Sequence, residues 1–253
     1  MDLNLKNKYA LITGASKGIG LAVAKSLAGE GCHLHLAARN EDSLVTAAND
    51  ITNSYDVKVH IHVADLSAAK DRTKLANDCR NIDILINNAG SIPSGGLEEI
   101  DDEGLRDAWE LKLFGYIHLT RELYALMKAR CSGVVINVIG SAADNPSYNY
   151  IAGSMANVAL ANFTIALGRE SQNYGVRVVA IHPSITKTER MIAHHEKLAE
   201  MQFGDKSRWQ DVLPEMPFGR PTEPYEVADM VTFFASSRAS YTSGVVVSVT
   251  NGL

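Results

Sequence analysis

The stretch Lys8–Gly20, Lys-Tyr-Ala-Leu-Ile-Thr-Gly-Ala-Ser-Lys-Gly-Ile-Gly, decides the fold that we expect for this chain. Its apolar run Tyr9–Ile12 indicates a buried strand, and the apolar residues of Ile19–Ala28 recur at helical spacing. The turn between them has the spacing Gly-x-x-x-Gly-x-Gly. A strand, a glycine turn and a helix place unpaired N–H groups and a helix N-terminus at one point, which suits a pyrophosphate.

Composition narrows the class of protein. A chain of 253 residues with 46% hydrophobic content can bury a large core, and a net charge of −5 argues against a nucleic-acid surface. No apolar run approaches the ~20 residues of a membrane span, and the N-terminus lacks a signal-peptide pattern. Cys32, Cys79 and Cys131 are odd in number and show no Cys-x-x-Cys spacing, so we expect buried, reduced thiols in a cytoplasmic protein.

Strand and helix patterns alternate along the rest of the chain. We predict further strands at Cys32–Ala37, Val57–Val63, Ile82–Ile86, Val134–Val138, Val176–Ile181 and Val245–Val249. We predict a long helix from Asp101 or Asp102 to about Lys128, with Trp109, Leu113 and Ile117 facing inward, and helices at Asn157–Arg169 and Glu226–Phe234.

Three motifs together resemble the cofactor half of the short-chain dehydrogenase/reductase family. They are Thr13-Gly-Ala-Ser-Lys-Gly-Ile-Gly20, Asp65-Leu66 and Asn87-Asn-Ala-Gly90, and the family's length and element order match from about Leu5 to Leu253. The resemblance implies an α/β fold: a single doubly wound Rossmann-type domain over 1–253, with a mostly parallel seven-stranded sheet and helices on both faces. It also implies a homotetramer or homodimer, because the long helix usually packs against its copy in another subunit.

The resemblance assigns cofactor contacts residue by residue. They are Gly14, Ser16, Lys17, Gly18, Ile19, Gly20, Arg39, Asp65, Leu66, Asn88, Ala89, Gly90, Asn157, Pro183, Ile185 and Thr188. The last three lie in Pro183-Ser-Ile-Thr-Lys-Thr188, which resembles a family segment that touches the nicotinamide carboxamide, although Ser184 stands where a glycine is usual.

The residues after the second strand favour NADP(H) over NAD(H). NAD requires an acidic residue there to accept bonds from the ribose hydroxyls, and this chain has Ala37-Ala38-Arg39-Asn40 instead. Arg39 can pair with a 2′-phosphate, and Lys17 in the glycine turn can approach the same group. The alternative interpretation is two solvated cations.

The catalytic pattern of the family is Asn, Ser and Tyr-x-x-x-Lys, and this chain departs from it. Counting from the tyrosine of Tyr150-Ile-Ala-Gly-Ser154 puts Ser154 at the lysine position. Counting back from Val158–Glu170 gives Gly153-x-x-x-Asn157, with Gly140 at the serine position. We favour this second register because Gly140 and Gly153 keep the family's usual separation.

In the second register, Lys112 holds the asparagine position, so the asparagine and the lysine look exchanged. We therefore assign Tyr150 as a relocated acid, Lys112 as its cation, Ser141 as the orienting hydroxyl and Asn157 as a ribose contact. Bringing a tyrosine pKa from near 10 to neutrality requires about 4 kcal/mol. One cation at ~4 Å supplies that at an effective dielectric constant of ~20. The opposing argument is that a helical Tyr150 would sit ~4.5 Å too far toward the N-terminus.

A lid is expected around 189–217, the region that chooses the substrate in the family. It contains Met191, His194, His195, Met201, Phe203, Trp209 and Met216. This composition suggests an apolar or aromatic small-molecule substrate, although such a stripe is also typical of simple packing.

The leading functional hypothesis is an NADP(H)-dependent oxidoreductase acting on a small carbonyl or alcohol, with an altered acid–base set. The alternatives are an NADP(H)-binding sensor or inactive protein of the same fold, and a lyase or isomerase. The pairs His33 with His35 and His60 with His62 make a four-histidine metal site conceivable. Polar alternation on an outer strand explains these histidines more simply, so no metal site is predicted.

Overall fold

Seven strands form one sheet in the computed structural model, which describes residues 1–250 apart from the side chain of residue 217. The strands are β1 (Tyr9–Thr13), β2 (His33–Ala38), β3 (Val59–Val63), β4 (Ile84–Asn87), β5 (Gly133–Val138), β6 (Val176–Pro183) and β7 (Val245–Val249). Their order is β3-β2-β1-β4-β5-β6-β7, and every pairing between them is parallel. The predicted fold class is therefore confirmed, while residues 251–253 of the predicted domain lie outside the described residues.

Eight α-helices cover the two faces of the sheet in the described part of the chain. They are α1 (Gly18–Gly29), α2 (Glu41–Ser54), α3 (Ala69–Asp78), α4 (Asp102–Trp109), α5 (Gly115–Ala129), α6 (Ile151–Ser171), α7 (Glu189–Phe203) and α8 (Pro224–Ala235). Helices α1, α2 and α8 share an apolar core with one face of the sheet. Helices α3, α5 and α6 contribute to two apolar clusters on the other face.

The predicted long helix is interrupted at Lys112, one of the predicted catalytic residues. Helices α4 and α5 are joined by a π-helical turn, Glu110–Phe114, which contains Lys112. Turns of this kind often occur at functional sites because they redirect a side chain. Asp101 is the residue that caps α4, since its carboxylate accepts a hydrogen bond from the Gly104 amide at 2.8 Å.

The predicted inward face of this helix is largely correct. Leu113 is buried in the core cluster on this side of the sheet, and Trp109 and Ile117 pack against the same cluster while remaining partly exposed. The Trp109 indole also donates a hydrogen bond to the Ala152 carbonyl at 3.1 Å, which ties α4 to α6.

Helix α6 begins six residues earlier than predicted, and this shift has two consequences. Tyr150 is therefore the residue immediately before the helix, whereas the predicted helix began seven residues after it. In addition, the segment Ile151–Tyr174 is long and apolar enough, by length and composition only, to cross a membrane. That corrects the expectation that no apolar run reaches this length. About half of the segment is buried inside the protein, where it packs on β6 and β7, and packing of this kind accounts for its composition.

Candidate active site

The turn between β1 and α1 brings three glycines against the neighbouring backbone. Gly14 and Gly18 both have positive φ angles, +65° and +57°, which glycine adopts without strain. A Cβ at Gly20 would overlap the carbonyl oxygen of Gly14, and a Cβ at Gly14 would lie 3.0 Å from the Cα of Ala89. Only glycines leave this turn open enough for a phosphate to approach its amides.

The second motif, after β4, is hydrogen-bonded to this glycine turn. The hydroxyl of Thr13 accepts hydrogen bonds from the amides of Asn88 and Ala89 at 2.9 and 3.0 Å. The Asn88 side chain donates to the carbonyl of Thr13 at 3.0 Å. The two motifs therefore form one rigid rim at the carboxyl ends of β1 and β4, where ligands bind in open α/β sheets.

A cavity of about 410 Å³ opens above this rim. Eleven of the residues predicted to contact the cofactor line it: Gly14, Ser16, Lys17, Gly18, Ile19, Arg39, Leu66, Asn88, Ala89, Gly90 and Thr188. Pro183 and Ile185 line an adjoining cavity instead, while Gly20, Asp65 and Asn157 line neither of the two. Gly20 is buried beneath the turn, so its contribution is the space it leaves rather than a direct contact.

The adenosine end of this cavity carries two exposed cations, Lys17 and Arg39. Neither forms an ion pair or a side-chain hydrogen bond with any residue between 1 and 250. Asp65 lies beside Arg39, but its carboxylate is held by the amide and hydroxyl of Ser67 at 3.0 and 2.7 Å. Those hydrogen bonds are the main reason that the pKa of Asp65 is lowered, with Arg39 a minor cause.

A second cavity of about 430 Å³ continues from the first toward the carboxyl ends of β5 and β6. The two cavities share Ile19, Asn88, Gly90, Ser91, Thr188 and Arg190. Tyr150 and Lys112 line the second cavity together with Ile92, Ile139, Ile185 and Met191. An elongated ligand lying over the glycine turn would therefore extend toward Tyr150.

Tyr150 reaches this cavity by folding back over the first turn of α6. Its backbone is not helical (φ −141°, ψ 36°), and its ring fills the space where a Cβ on Gly153 would project. The predicted displacement of ~4.5 Å along a helix does not apply, because residue 150 precedes the helix. The side chain of Tyr150 thus occupies the volume that a side chain at position 153 would enter.

Lys112 is buried against the end of β5. Its ammonium donates hydrogen bonds to the carbonyls of Val138 and Ile139, both at 3.0 Å, and to the Tyr116 hydroxyl at 3.3 Å. Burial, and secondarily the charge of Arg190, lowers the pKa of Lys112 to about 7. The ammonium is thereby committed to backbone carbonyls rather than to Tyr150.

The predicted pairing of Lys112 with Tyr150 is therefore wrong. No hydrogen bond joins them, and the pKa of Tyr150 is raised by burial rather than lowered by a lysine. The cation that opposes this rise is Arg190, on the first turn of α7. Arg190 donates hydrogen bonds to the carbonyls of Gly90 and Ile92 at 3.2 and 2.8 Å, which position it at the junction of the two cavities.

Ser141 and Asn157 do not line the catalytic cavity. Ser141 begins a short turn after Gly140, and only Gly140 contributes to the lining. Asn157 is buried behind Gly140, where a Cβ on the glycine would lie 2.9 Å from the Asn157 side-chain nitrogen. The Oδ1 atom of Asn157 has no hydrogen-bond partner among the described residues. These positions bring Asn157 against Gly140 but bring neither Ser141 nor Asn157 to the cavity surface.

The lid contributes less apolar surface than its composition suggested. Of its predicted substrate-facing residues, Met191, His194 and His195 line the cavity, whereas Met201, Phe203, Trp209 and Met216 do not. The hydroxyl of Thr188 caps α7 by accepting from the Met191 amide at 3.2 Å, and the ring Nδ1 of His195 lies 2.8 Å from the Met191 carbonyl. Sequence reasoning missed Arg190, whose one signal was its place two residues after Thr188.

A larger cleft of about 620 Å³ lies at the opposite edge of the sheet, near the amino ends of the strands. Two of its charged residues, Lys8 and Asp83, are paired with each other at 3.3 Å, and the third, Arg177, donates hydrogen bonds to the carbonyls of Ala235 and Ser236. Because ligands in open parallel sheets bind at the carboxyl edge, we place the candidate active site in the two joined cavities.

The glycine turn on a parallel sheet of this order defines a Rossmann-type nucleotide-binding protein. The sequence profile described as short chain dehydrogenase matches residues 8–199. The chain therefore belongs to the short-chain dehydrogenase family of oxidoreductases.

Relatives match this chain over nearly its whole length. The uncharacterized oxidoreductase YmfI of Bacillus subtilis (strain 168) is 31% identical over 248 residues, which covers 97% of this chain and 98% of YmfI. The NADPH-dependent reductase BacG of the same organism is 27% identical over 257 residues, covering 98% of each chain. The structure of L-sorbose reductase from Gluconobacter frateurii with NADPH and L-sorbose has 31% sequence identity and a TM-score of 0.94. That match covers 99% of this chain and 98% of the sorbose reductase.

Proposed function

We propose that this chain is an NADP(H)-dependent oxidoreductase that acts on a small carbonyl or alcohol with an altered acid–base set. The observation that carries the proposal is the ring of Tyr150 over Gly153, in a cavity continuous with the one above the glycine turn. A phenol in that volume is a proton donor beside the far end of a bound dinucleotide.

The residues present fit an NADP(H) cofactor. The glycines of the first turn leave room for a pyrophosphate, and Lys17 and Arg39 offer two cations to a 2′-phosphate. No acidic side chain within 1–250 holds either cation in an ion pair. BacG is an NADPH-dependent reductase, and the L-sorbose reductase structure contains bound NADPH. Both similarities support a preference for NADP(H) in this chain.

Bound NADPH would supply a hydride to the carbonyl carbon of a substrate. Tyr150 donates its phenolic proton to the carbonyl oxygen, which becomes the hydroxyl of the product alcohol. Arg190, hydrogen-bonded to the Gly90 and Ile92 carbonyls, holds a positive charge near the tyrosinate that remains. Lys112 secures the end of β5 through the Val138 and Ile139 carbonyls, so we assign it a positioning role.

Near neutral pH the Tyr150 hydroxyl is in the protonated form that carbonyl reduction uses. Burial raises the pKa of Tyr150 above its ordinary value of 10.0, so the phenol is protonated and ready to donate. Oxidation of an alcohol needs the deprotonated form, which becomes populated only in alkaline solution. The ketone substrate that we propose is small and partly apolar, because Ile92, Ile139 and Met191 line the cavity beside Tyr150.

We also propose that the protein is a cytoplasmic homotetramer or homodimer, as the resemblance to the family implies. Phe114, Met155 and Val158 are exposed large apolar side chains on neighbouring helical segments. A subunit interface would remove their apolar surface from water, which is favourable in proportion to the area covered. Size-exclusion chromatography with light scattering measures the subunit number.

The test is NADPH oxidation by the purified chain with a panel of small ketones, aldehydes and ketoses. We expect turnover with NADPH, weaker turnover with NADH, and loss of turnover in Tyr150→Phe. Failure of every carbonyl, with NADPH still bound, would overturn the proposed activity.

A second candidate is a protein that binds NADP(H) without turning a substrate over. It is favoured by the raised pKa of Tyr150 and by the commitment of Lys112 to backbone carbonyls. Calorimetry with NADPH, combined with the carbonyl panel, distinguishes the two: tight binding without hydride transfer to any substrate supports the second candidate.

A further inference from the structure

Three side chains with metal-binding atoms converge on one face of the sheet, away from both cavities. His35 lies on β2, His62 lies on the neighbouring strand β3, and Cys79 follows the last residue of α3. The ligand atoms of the three residues all lie within 4.8 Å of one another. His62 is central: its Nε2 lies 2.9 Å from Nδ1 of His35 and 3.6 Å from Sγ of Cys79.

The register of the parallel strands creates this convergence. His35 pairs with His60, and Ala37 pairs with His62, so His35 and His62 are diagonal neighbours on the same face. The end of α3 then brings Cys79 over them from above the sheet. Cys79 is 1% exposed and the two imidazoles are half-buried, so the cluster is shielded without being closed to ions.

The 3.6 Å between Nε2 of His62 and Sγ of Cys79 matches the ligand spacing of a tetrahedral metal centre. Zinc binds imidazole nitrogen at about 2.0–2.1 Å and thiolate sulfur at about 2.3 Å, which sets neighbouring ligand atoms roughly 3.3–3.6 Å apart. Two nitrogens and one sulfur are a donor set that favours zinc over magnesium or calcium. Small adjustments of the His35 and His62 rings would open their 2.9 Å separation to that spacing.

A carboxylate stands behind the central ligand. Oδ2 of Asp78 lies 4.0 Å from Nδ1 of His62, on the side of the ring opposite to Cys79 and His35. A metal on Nε2 of His62 requires the ring proton to reside on Nδ1, where it faces Asp78. A carboxylate that accepts a hydrogen bond from the second ring nitrogen orients a metal-binding imidazole and raises its basicity. The same Asp78 oxygen accepts a hydrogen bond from Lys74, so a short approach of Asp78 toward His62 would complete this arrangement.

We propose that His35, His62 and Cys79 form a zinc-binding site, with water as the fourth ligand. Binding replaces the hydrogen bond between the two imidazoles. The proton that lies between Nδ1 of His35 and Nε2 of His62 moves to the other nitrogen of the ring that carried it, and the thiol proton of Cys79 is released to solvent as the Zn–S bond forms. No electrons are transferred. The metal would tie β2 and the edge strand β3 to the end of α3. His35 lies four residues before Arg39, which lines the adenosine end of the cofactor cavity.

The experiment uses the full-length chain, freed of metal with a chelator and titrated with Co²⁺ as the spectroscopic probe. We expect one equivalent to bind, with a thiolate-to-cobalt charge-transfer absorption, and Zn²⁺ to displace it. Cys79→Ser should remove that absorption, and His62→Gln and His35→Gln should weaken binding by about tenfold or more. Zn²⁺ should raise the thermal unfolding temperature of the wild type and not that of Cys79→Ser.

Two matched controls keep the result specific. Cys131→Ser removes an exposed cysteine, and His60→Gln removes the exposed histidine that stacks on His35; both should keep the charge-transfer absorption. If Cys79→Ser fails to fold, the weaker Co²⁺ binding expected of His62→Gln tests the site instead. Absence of the absorption in the wild type, or its persistence in Cys79→Ser, overturns the proposal. NADPH affinity of Cys79→Ser, measured in parallel, keeps this outcome separate from the proposed oxidoreductase function.

Discussion

The ring of Tyr150 fills the space above Gly153 that a side chain at position 153 would occupy. This relationship requires both residues. Glycine leaves the volume empty, and the non-helical backbone of residue 150 turns the phenol back into it. A tyrosine three positions away in sequence can thereby present its hydroxyl to the cavity that the family pattern would serve from position 153.

Tyr150→Phe tests whether this hydroxyl is the proton donor. We expect turnover to fall by roughly 10²- to 10⁴-fold, because the reaction loses its general acid while the packing of the ring is kept. NADPH affinity should be unchanged. The measurements are NADPH oxidation with an active carbonyl and calorimetric titration with NADPH.

The matched control for that substitution is Tyr148→Phe, which alters an exposed tyrosine whose ring lies over Gly96. It should retain wild-type turnover. Equal activity of the wild type and Tyr150→Phe would remove Tyr150 from the mechanism.

Gly153→Ala tests whether the Tyr150 ring must occupy the space above Gly153 for catalysis. A methyl group there would collide with the Tyr150 ring, so the phenol must move and kcat should fall with little change in NADPH affinity. Gly29→Ala is the control, because its added methyl would make only ordinary contact, 3.6 Å from the Tyr55 ring. Unaltered kcat in Gly153→Ala would show that the position of the ring does not matter for catalysis.

Arg39→Ala and Lys17→Ala test the cofactor preference. Each substitution should weaken NADPH binding by roughly tenfold or more, since a charge-assisted hydrogen bond contributes about 1.5–3 kcal/mol. NADH binding should hardly change, because NADH lacks the 2′-phosphate. Lys25→Ala, which removes a lysine near Asp50 on α2, serves as the control. A parallel loss of NADH affinity would contradict recognition of the phosphate.

Burial of Lys112 should make the free energy of unfolding depend on pH. Its pKa is lowered from 10.5 to about 7, chiefly by burial. Below about pH 7 the lysine is protonated in both the folded and unfolded states. Between about pH 7 and 10.5 only the unfolded state holds the proton, so the free energy of unfolding should rise with pH, by up to about 1.4 kcal/mol per pH unit from this group.

Urea unfolding at a series of pH values measures that slope. Lys112→Met should flatten the rise, because it removes the titrating group. Lys70→Met, at an exposed lysine on α3, should leave the slope unchanged. An identical pH profile in the wild type and Lys112→Met would mean that Lys112 remains charged when buried.

Local pattern was sufficient to predict the strands and the first turn, whereas the arrangement of the strands in one sheet was implied by the resemblance to a known family. Gly14, Gly18 and Gly20 are fixed by the backbone of their own strand–turn–helix unit, and neighbouring residues in sequence carry that information. Helix boundaries were harder to predict from local pattern. Helix α6 starts at Ile151, where distant segments of the chain contact the residues that precede it. One such contact is the bridge between Gly95 and Tyr150.

The amino-acid sequence by itself determined the strands, the glycine turn and the cations beside it, because periodicity, glycine spacing and residue type act over short distances along the chain, and the resemblance of its motifs to a known family implied the Rossmann-type architecture. Only the tertiary structure decided that Arg190 rather than Lys112 is the cation acting on Tyr150, and that Cys79 joins His35 and His62. Those relationships depend on strand register, on the π-helical turn at Lys112 and on the hydrogen bonds from Arg190 to the carbonyls of Gly90 and Ile92. Each brings together residues far apart in sequence, and no local pattern records the distances between them.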